Sequence, residues 1–306
     1  MMQQATYGGV NAAVLTAMRD DLSIDIDRTA AHCRWLLANG CTGLAILGTT
    51  SEANSLGMDE RIALMEGLVE RGIPAARLLP GTGTTAIPDT VKLTRKAAEL
   101  GCPGVLVLPP FFYKNPSDDG LFAYFSEVIN RVGGGPKIYL YHFPAQSAVP
   151  FGVAFIGRLL RAFPGVMGGI KDSSGNFANT KSYIDAYAKD GFEVYCGDDG
   201  TLLDTLAAGG AGCITAAANM GCAVSARVVA NWNKPEGAAA QAQLTKIRAA
   251  VVSAPLIPAL KTLVARRTGD AGWETIRPPH LKLSREVAAK LFETFDACAP
   301  ALADAA

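Results

Sequence analysis

VMGGIKDSSGNFANTKSYIDAYAKDG, residues 166–191, is the stretch on which the fold turns. VMGGIKDS (166–173) is a short apolar run of the length of a buried strand, and FANTKSYIDAYAKDG after it has helical period. A strand followed by a helix is the unit of a parallel sheet, because a parallel neighbour is reached only through a crossover. The same rhythm recurs on both sides. GVNAAVLT (9–16) precedes DRTAAHCRWLLANG, TGLAILG (42–48) precedes DERIALMEGLVERG, and RLLPGTG (77–83) precedes DTVKLTRKAAELG. GVLVLPP (104–110) precedes DGLFAYFSEVINRVG, and KIYLYHF (137–143) precedes FGVAFIGRLLRAF. FEVYCGD (192–198) precedes GTLLDTLAAGG, and AGCITAAA (211–218) precedes a helical region beginning near Ala223. The opening stretch is the sixth of eight such units.

Parallel strands buried on both faces read as nearly unbroken apolar runs, as these do. Eight units in succession fit a closed (β/α)8 TIM barrel better than an open doubly wound sheet. The barrel is expected over residues 1–234. Residues 235–306 are Ala-rich and read as a C-terminal helical subdomain: EGAAAQAQLTKIRAAVV, PLIPALKTLVARR and LSREVAAKLFETF. RPPH (277–280) breaks this region before its last helix, and ACAPALADAA reads as a frayed tail.

Composition narrows the class. The chain has 306 residues, 49% hydrophobic and 18% charged, enough for one large core. Its 28 acidic and 28 basic residues cancel, so no charge excess points to nucleic acid or an anionic membrane. Seven cysteines include no CxxC pair and sit mostly in apolar runs, so a reducing compartment is expected. The start, MMQQATYGGVNAAVL, lacks a basic region ahead of a long apolar core, and no signal peptide is expected. No stretch reaches the ~20 apolar residues of a membrane span. These features read as a cytoplasmic protein.

Lys171 stands toward the end of the sixth run. A lone lysine at a strand end ordinarily snorkels to solvent. The barrel alters that reading, because such barrels carry their active sites at the carboxyl ends of the strands. Other strand ends bring GTTSE (48–52), Tyr141-His142-Phe143-Pro144 and Gly197-Asp198-Asp199 as expected neighbours. A lysine held there can form an imine with a carbonyl substrate, attacking as the free amine that burial favours. The imine needs a proton relay, and Tyr141 on the adjacent strand suits that role. Thr49 and Thr50, with the backbone N–H groups of the turn at Gly48, make a nest able to bind a carboxylate. Each has a plainer reading: Tyr141 could fill a barrel layer, the threonines a turn, and Asp198-Asp199 could cap the next helix. Convergence at one barrel end favours the chemical reading.

GTTSE, YHFP, GIKDSSG and CGDD, in this order and spacing, resemble the dihydrodipicolinate synthase / N-acetylneuraminate lyase family. The likeness runs from GVNAAVLT to RPPHLKLS. It implies a class I, Schiff-base lyase, usually a tetramer, that needs no metal or organic cofactor and joins or releases pyruvate and an aldehyde. By motif, Lys171 matches the imine lysine and Tyr141 the tyrosine proton relay. Thr49 matches the hydroxyl that bridges two tyrosines, and Thr50 with the adjoining backbone matches the pyruvate carboxylate site. Ile214, in CIT, matches the position whose backbone lines the pocket. The chain departs from the family in four places. Ser51 replaces a glycine, which is tolerable if its φ stays negative. His142 stands where asparagine is common. PPFFYKNPS (109–117) is one residue longer than the synthase form, so the tyrosine donated across a subunit interface corresponds to Phe112 or to Tyr113. Gln146 stands where synthases carry an arginine for the carboxylate of the aldehyde partner.

Other signals are weaker. GTGTTA (81–86) matches GxGxxA but lacks the acidic partner a dinucleotide needs, and a tight turn explains its glycines. His32, His142 and His280 lack metal-ligand spacing, so no metal site is expected. A Cys196–His142 nucleophile has nothing to orient the histidine, and pyridoxal phosphate on Lys171 lacks a phosphate cup. Two functional classes remain: a lyase, and a non-catalytic sensor of 2-oxo acids, which would not need a proton relay. Within the lyase class, Gln146 suits an uncharged or hydroxylated aldehyde, because an anionic one calls for a cation to replace lost water. The expectation is an aldolase or dehydratase of a 2-keto-3-deoxy sugar acid or similar pyruvate adduct. The alternative is the lysine-pathway synthase, which takes pyruvate and aspartate semialdehyde.

Overall fold

The computed structural model describes residues 5–299. Strands β1 (Gly9–Ala13), β2 (Gly43–Ala45), β3 (Gly104–Val107), β4 (Lys137–His142), β5 (Met167–Asp172), β6 (Glu193–Cys196) and β7 (Gly212–Thr215) are all parallel, in the order β2-β1-β7-β6-β5-β4-β3. The sequence rhythm predicts eight strands, and the described residues form seven. The exception is the run at 77–83, which fills the gap between β2 and β3 as two parallel bridges, Leu44 to Leu78 and Gly81 to Leu106. The Leu79 amide donates to the Leu44 carbonyl at 2.9 Å, and the Thr82 amide to the Leu106 carbonyl at 3.0 Å. Between them stands Pro80, which has no N–H to continue the ladder. The barrel therefore closes through a proline-interrupted segment.

The outer layer comprises α1 (Ile26–Ala38), α2 (Met58–Glu70), α3 (Ile87–Glu99), α4 (Asp118–Val132), the single turn α5 (Pro144–Ser147), α6 (Val153–Ala162), α7 (Phe177–Tyr187), α8 (Leu202–Ala207) and α9 (Ala218–Ala230). Inside the barrel, Tyr7, Tyr139, Tyr141 and Tyr195 pack with Leu79, Leu106 and Ile214. The Tyr139 and Tyr195 hydroxyls both donate to Glu193 Oε2, at 3.0 and 2.5 Å, which satisfies a largely buried carboxylate. The paired glycines of the opening stretch follow from this crowding. A Cβ at Gly168 would lie 2.8 Å from the Tyr139 ring, and one at Gly169 would run into the Glu193 carbonyl.

Three further helices follow: α10 (Pro235–Val251), α11 (Leu256–Thr268) and α12 (Arg285–Cys298). The first residues of the expected frayed tail, Ala297 and Cys298, thus still belong to a helix, and from Pro300 onward that tail lies outside the described residues. Helix α11 is buried on nearly every face although it carries Lys261, Thr262 and Arg267. Lys261 Nζ lies 2.5 Å from Glu52 Oε1 and donates to the Thr275 carbonyl at 2.9 Å. Glu52 Oε2 accepts from the Arg277 amide at 3.2 Å. GTTSE, at the mouth of the barrel, is thereby tied to the C-terminal helices. Among the described residues no single helix is long and apolar enough to cross a membrane.

Removing one member of a fully buried ion pair leaves the other charge stranded. Lys261→Met is expected to lower stability by about 3–5 kcal/mol in urea denaturation, and adding Glu52→Gln should recover much of the loss. A change in Lys261→Met within about 0.5 kcal/mol would remove the pair from any structural role.

Candidate active site

Strand register places the central residues. Tyr141 of β4 pairs with Lys171 of β5, which pairs in turn with Tyr195 of β6. Side chains alternate along a strand, so Lys171 faces the barrel while Asp172 faces α7. There the Asp172 carboxylate accepts from the Ser174 amide at 2.9 Å, Asn179 Nδ2 at 3.1 Å and Thr180 Oγ1 at 2.7 Å. Lys171 is 5% exposed, and its Nζ lies 4.2 Å from the centre of the Tyr141 ring. Among the described residues no carboxylate pairs with it, in contrast to Lys261. The Tyr141 hydroxyl lies 3.5 Å from Thr49 Oγ1, at the limit of hydrogen bonding, and its ring stacks on Phe143.

The loop after β2 is shaped around its own backbone. Leu47 and Glu52 hold left-handed φ values of 57° and 58°, a conformation that costs a non-glycine residue of order 1–3 kcal/mol and concentrates at functional sites. Between them the Gly48 carbonyl accepts from the Ser51 and Ala53 amides, at 3.1 and 3.2 Å. Among the described residues the Thr49 and Thr50 amides have no protein acceptor. Two free N–H groups thus lie beside the Thr50 hydroxyl, an arrangement chemically able to receive a carboxylate. Ser51 is not among the residues with positive φ, and its hydroxyl donates to the Val14 carbonyl at 2.5 Å.

A cavity of ≈ 600 Å³ opens at the carboxyl ends of the strands, and Lys171, Tyr141, Thr49, Thr50 and Gln146 all line it. Four other sequence candidates lie elsewhere. Gly48 borders an adjoining crevice with Thr49 and Tyr141. Ile214 is fully buried in the barrel interior. Phe112 and Tyr113 stand outside, 71% and 80% exposed, with rings edge to face at 5.4 Å. His142 points away from the cavity: its Nδ1 accepts from the Phe151 amide at 3.0 Å, and burial lowers its pKa despite Asp172 nearby. Cys196 does not pair with it; its thiol donates to the Gly212 carbonyl at 3.6 Å.

Sequence reading missed Arg248. It reaches the cavity from α10, an Ala-rich helix with no local motif, and lies with Nε 3.7 Å from Asp198 Oδ1. Ser173, Ser174 and His280 also line the wall. Helix α10 is held against the β6 end by Gln241, which donates to the Asp199 carbonyl at 2.9 Å and accepts from the Leu203 amide at 3.0 Å. Asp199 itself is fully buried, and burial pushes its carboxyl up to about 6 even though Thr215 Oγ1 donates to it at 2.6 Å. Among the described residues no three His, Cys, Asp or Glu side chains converge in a metal-binding arrangement.

Fold and cavity together describe a (β/α) barrel with an open cavity at the carboxyl ends of its strands. The profile of the dihydrodipicolinate synthetase family matches residues 6–297, and the chain belongs to that family: it is a class I, pyruvate-dependent lyase. An uncharacterized DapA-like lyase of Chloroflexus aurantiacus is 33% identical over 291 residues, covering 94% of this chain and 96% of that protein. The crystal structure of dihydrodipicolinate synthase from Agrobacterium tumefaciens superposes with a TM-score of 0.87 at 33% identity, covering 95% of this chain and 99% of the other. That of YagE, a prophage protein of the dihydrodipicolinic acid synthase family from E. coli K12 in complex with pyruvate, gives 0.88 at 28% identity, covering 96% and 99%.

The raised carboxyl of Asp199 has a definite stability signature. A group whose folded-state pKa exceeds its unfolded value stabilises the protein only below the unfolded value, and that contribution is lost as pH rises through the folded one. The penalty builds between about pH 4 and pH 6 and amounts to about 3 kcal/mol above that window. Asp199→Asn should therefore gain stability relative to wild type on going from pH 4 to pH 8 in chemical denaturation. A difference independent of pH would mean that Asp199 titrates as an ordinary carboxylate.

Proposed function

We propose that this lyase is an aldolase or dehydratase acting on a 2-keto-3-deoxy sugar acid or a similar hydroxylated pyruvate adduct, with Lys171 as the imine-forming nucleophile. In the cleavage direction Lys171 Nζ attacks the C2 carbonyl, and loss of water gives the iminium. The iminium draws in the electron pair of the breaking C3–C4 bond, the C4 hydroxyl loses its proton, and the aldehyde leaves. The resulting enamine takes a proton at C3, and water releases pyruvate and the free amine. Tyr141, oriented by Thr49, suits the proton transfers. Thr50 with the free amides of Thr49 and Thr50 suits the C1 carboxylate. A relay tyrosine beside the lysine favours turnover over mere sensing of 2-oxo acids.

The observation that carries the substrate class is the makeup of the cavity mouth. Gln146 is neutral there, and Arg248, on the same cavity wall, already faces Asp198. At 3.7 Å the two are an ion pair without a hydrogen bond, so each keeps free capacity. A substrate hydroxyl can donate to Asp198 and accept from Arg248 at once, whereas a carboxylate bound at Arg248 would meet the like charge of Asp198. Hydroxylated chains are favoured over anionic ones.

We further propose a cytoplasmic homotetramer. Seven free thiols, six of them buried, support a reducing compartment. Two adjacent aromatic side chains exposed at the segment after β3 support an interface there, with Phe112 or Tyr113 turned toward a neighbouring copy. Light scattering at micromolar concentration should give four times the chain mass, and a monomer would contradict it.

The deciding kinetics compare kcat/KM for pyruvate release from a 2-keto-3-deoxy sugar acid with that for condensation of pyruvate and aspartate semialdehyde. Wild type should reach about 10⁴ M⁻¹s⁻¹ on the former. The latter should be at least about 30-fold slower, the effect of a missing charged contact, and Gln146→Arg should narrow the gap. Efficient condensation of the semialdehyde by wild type would make the protein the lysine-pathway synthase instead. Tyr141→Phe should lower kcat by about 10²–10⁴-fold, the usual worth of a positioned acid–base group. Unchanged turnover would return Tyr141 to a packing role.

A further inference from the structure

The groove between α1 and α11 contains a cation that, among the described residues, no carboxylate pairs; its titratable neighbour is the Cys222 thiol, held below its usual range by a hydrogen bond with Cys41 and by this cation. Arg267 is 9% exposed, and its Cζ lies 3.7 Å from the centre of the Trp35 ring. Its Nη2 donates to His32 Nδ1 at 3.2 Å, while its Nε is buried with no partner. His32 cannot neutralise it. Burial holds that imidazole down to about 3, and its Nε2 donates to Asn219 Oδ1 at 2.9 Å, so the ring is neutral and Nδ1 is an acceptor. Burial lowers Arg267 to about 10, which leaves it charged at neutral pH. Among the described residues no carboxylate lies within ion-pair distance of it. A buried charge is ordinarily paired, because neither packing nor a neutral acceptor replaces the water it has lost.

A cavity of ≈ 530 Å³ opens beside this guanidinium, walled by His32, Trp35, Trp273 and Thr268. It shares no residue with the barrel cavity. The acidic groups at its rim are already engaged: Arg28 holds Asp25 at 3.0 Å and Asp270 at 2.6 Å, and Arg71 holds Asp27 at 2.5 Å. The charge without a carboxylate partner is thus the one at depth. We infer that this groove binds a small organic monocarboxylate with a flat, apolar body, its carboxylate paired with Arg267 and its body laid against the indoles. The engaged aspartates at the rim disfavour a multiply charged anion such as phosphate. Binding would be felt in the barrel, because the chain from Arg267 through His32 ends on Asn219, which donates to the Ala13 carbonyl at 2.7 Å and accepts from the Leu15 amide at 3.2 Å.

Two of the three tryptophans wall the groove, so intrinsic fluorescence reports on it. Titrating the full-length protein with benzoate should change the emission saturably, with Kd of about 1 mM or tighter, and should raise Tm. Arg267→Gln should weaken binding at least tenfold, and Arg267→Lys, which keeps the charge, should weaken it less. Should the buried substitutions prevent folding, Ala31→Glu tests the same point from an exposed position on α1 at the groove's edge. A carboxylate supplied there should raise Tm without ligand and abolish the benzoate response. A linear response without saturation overturns the inference, as does equal benzoate affinity in wild type and Ala31→Glu. Saturation by inorganic phosphate as tight as by benzoate overturns the ligand class.

Discussion

Lys261 and Glu52 meet where the mouth of the barrel joins the C-terminal helices, and the shape of the cavity depends on that meeting. Glu52 ends the loop that carries Thr49 and Thr50, and it holds a left-handed backbone that unsupported chain would relax. Lys261 comes from the most buried helix of the C-terminal region. Two desolvated charges at 2.5 Å tolerate little displacement, since parting them exposes each to a low-dielectric surrounding. The loop with the free amides is thereby held against the region that supplies Arg248 and the roof of the cavity. Helices that look appended in sequence form part of the site.

Two lysines are deeply buried, and their surroundings divide their roles. Lys261 has a carboxylate and a carbonyl. Lys171 has the face of Tyr141 and no carboxylate among the described residues. A lysine so placed suits nucleophilic use, because no partner must be broken to free its amine. Tyr141 reaches it by strand register alone, one residue opposite another across β4 and β5.

Much of this was legible in the chain. Apolar runs alternating with helical segments specify a parallel barrel, and GTTSE, YHFP and GIKDSSG fall at strand ends because their polar residues terminate those runs. The third run failed as a regular strand for a local reason visible in its letters, Pro80. Arg248 was not legible: it belongs to a helix whose placement over β6 is set by Gln241 and by packing on α9, neither of which has a signature in local sequence. Arg267 was hidden for the same reason, since its lack of a carboxylate partner among the described residues exists only once α1 and α11 are side by side. The motif points to Phe112 and Tyr113, yet within one chain they stay outside the cavity.

The central proposal is that Lys171 is the nucleophile, and reductive trapping tests it most directly. Incubation with pyruvate and borohydride, followed by proteolysis and mass spectrometry, should show the peptide containing Lys171 carrying a reduced pyruvate adduct, with activity lost in proportion to labelling. An unmodified Lys171 in protein that retains full activity, or an adduct confined to another lysine, would contradict it.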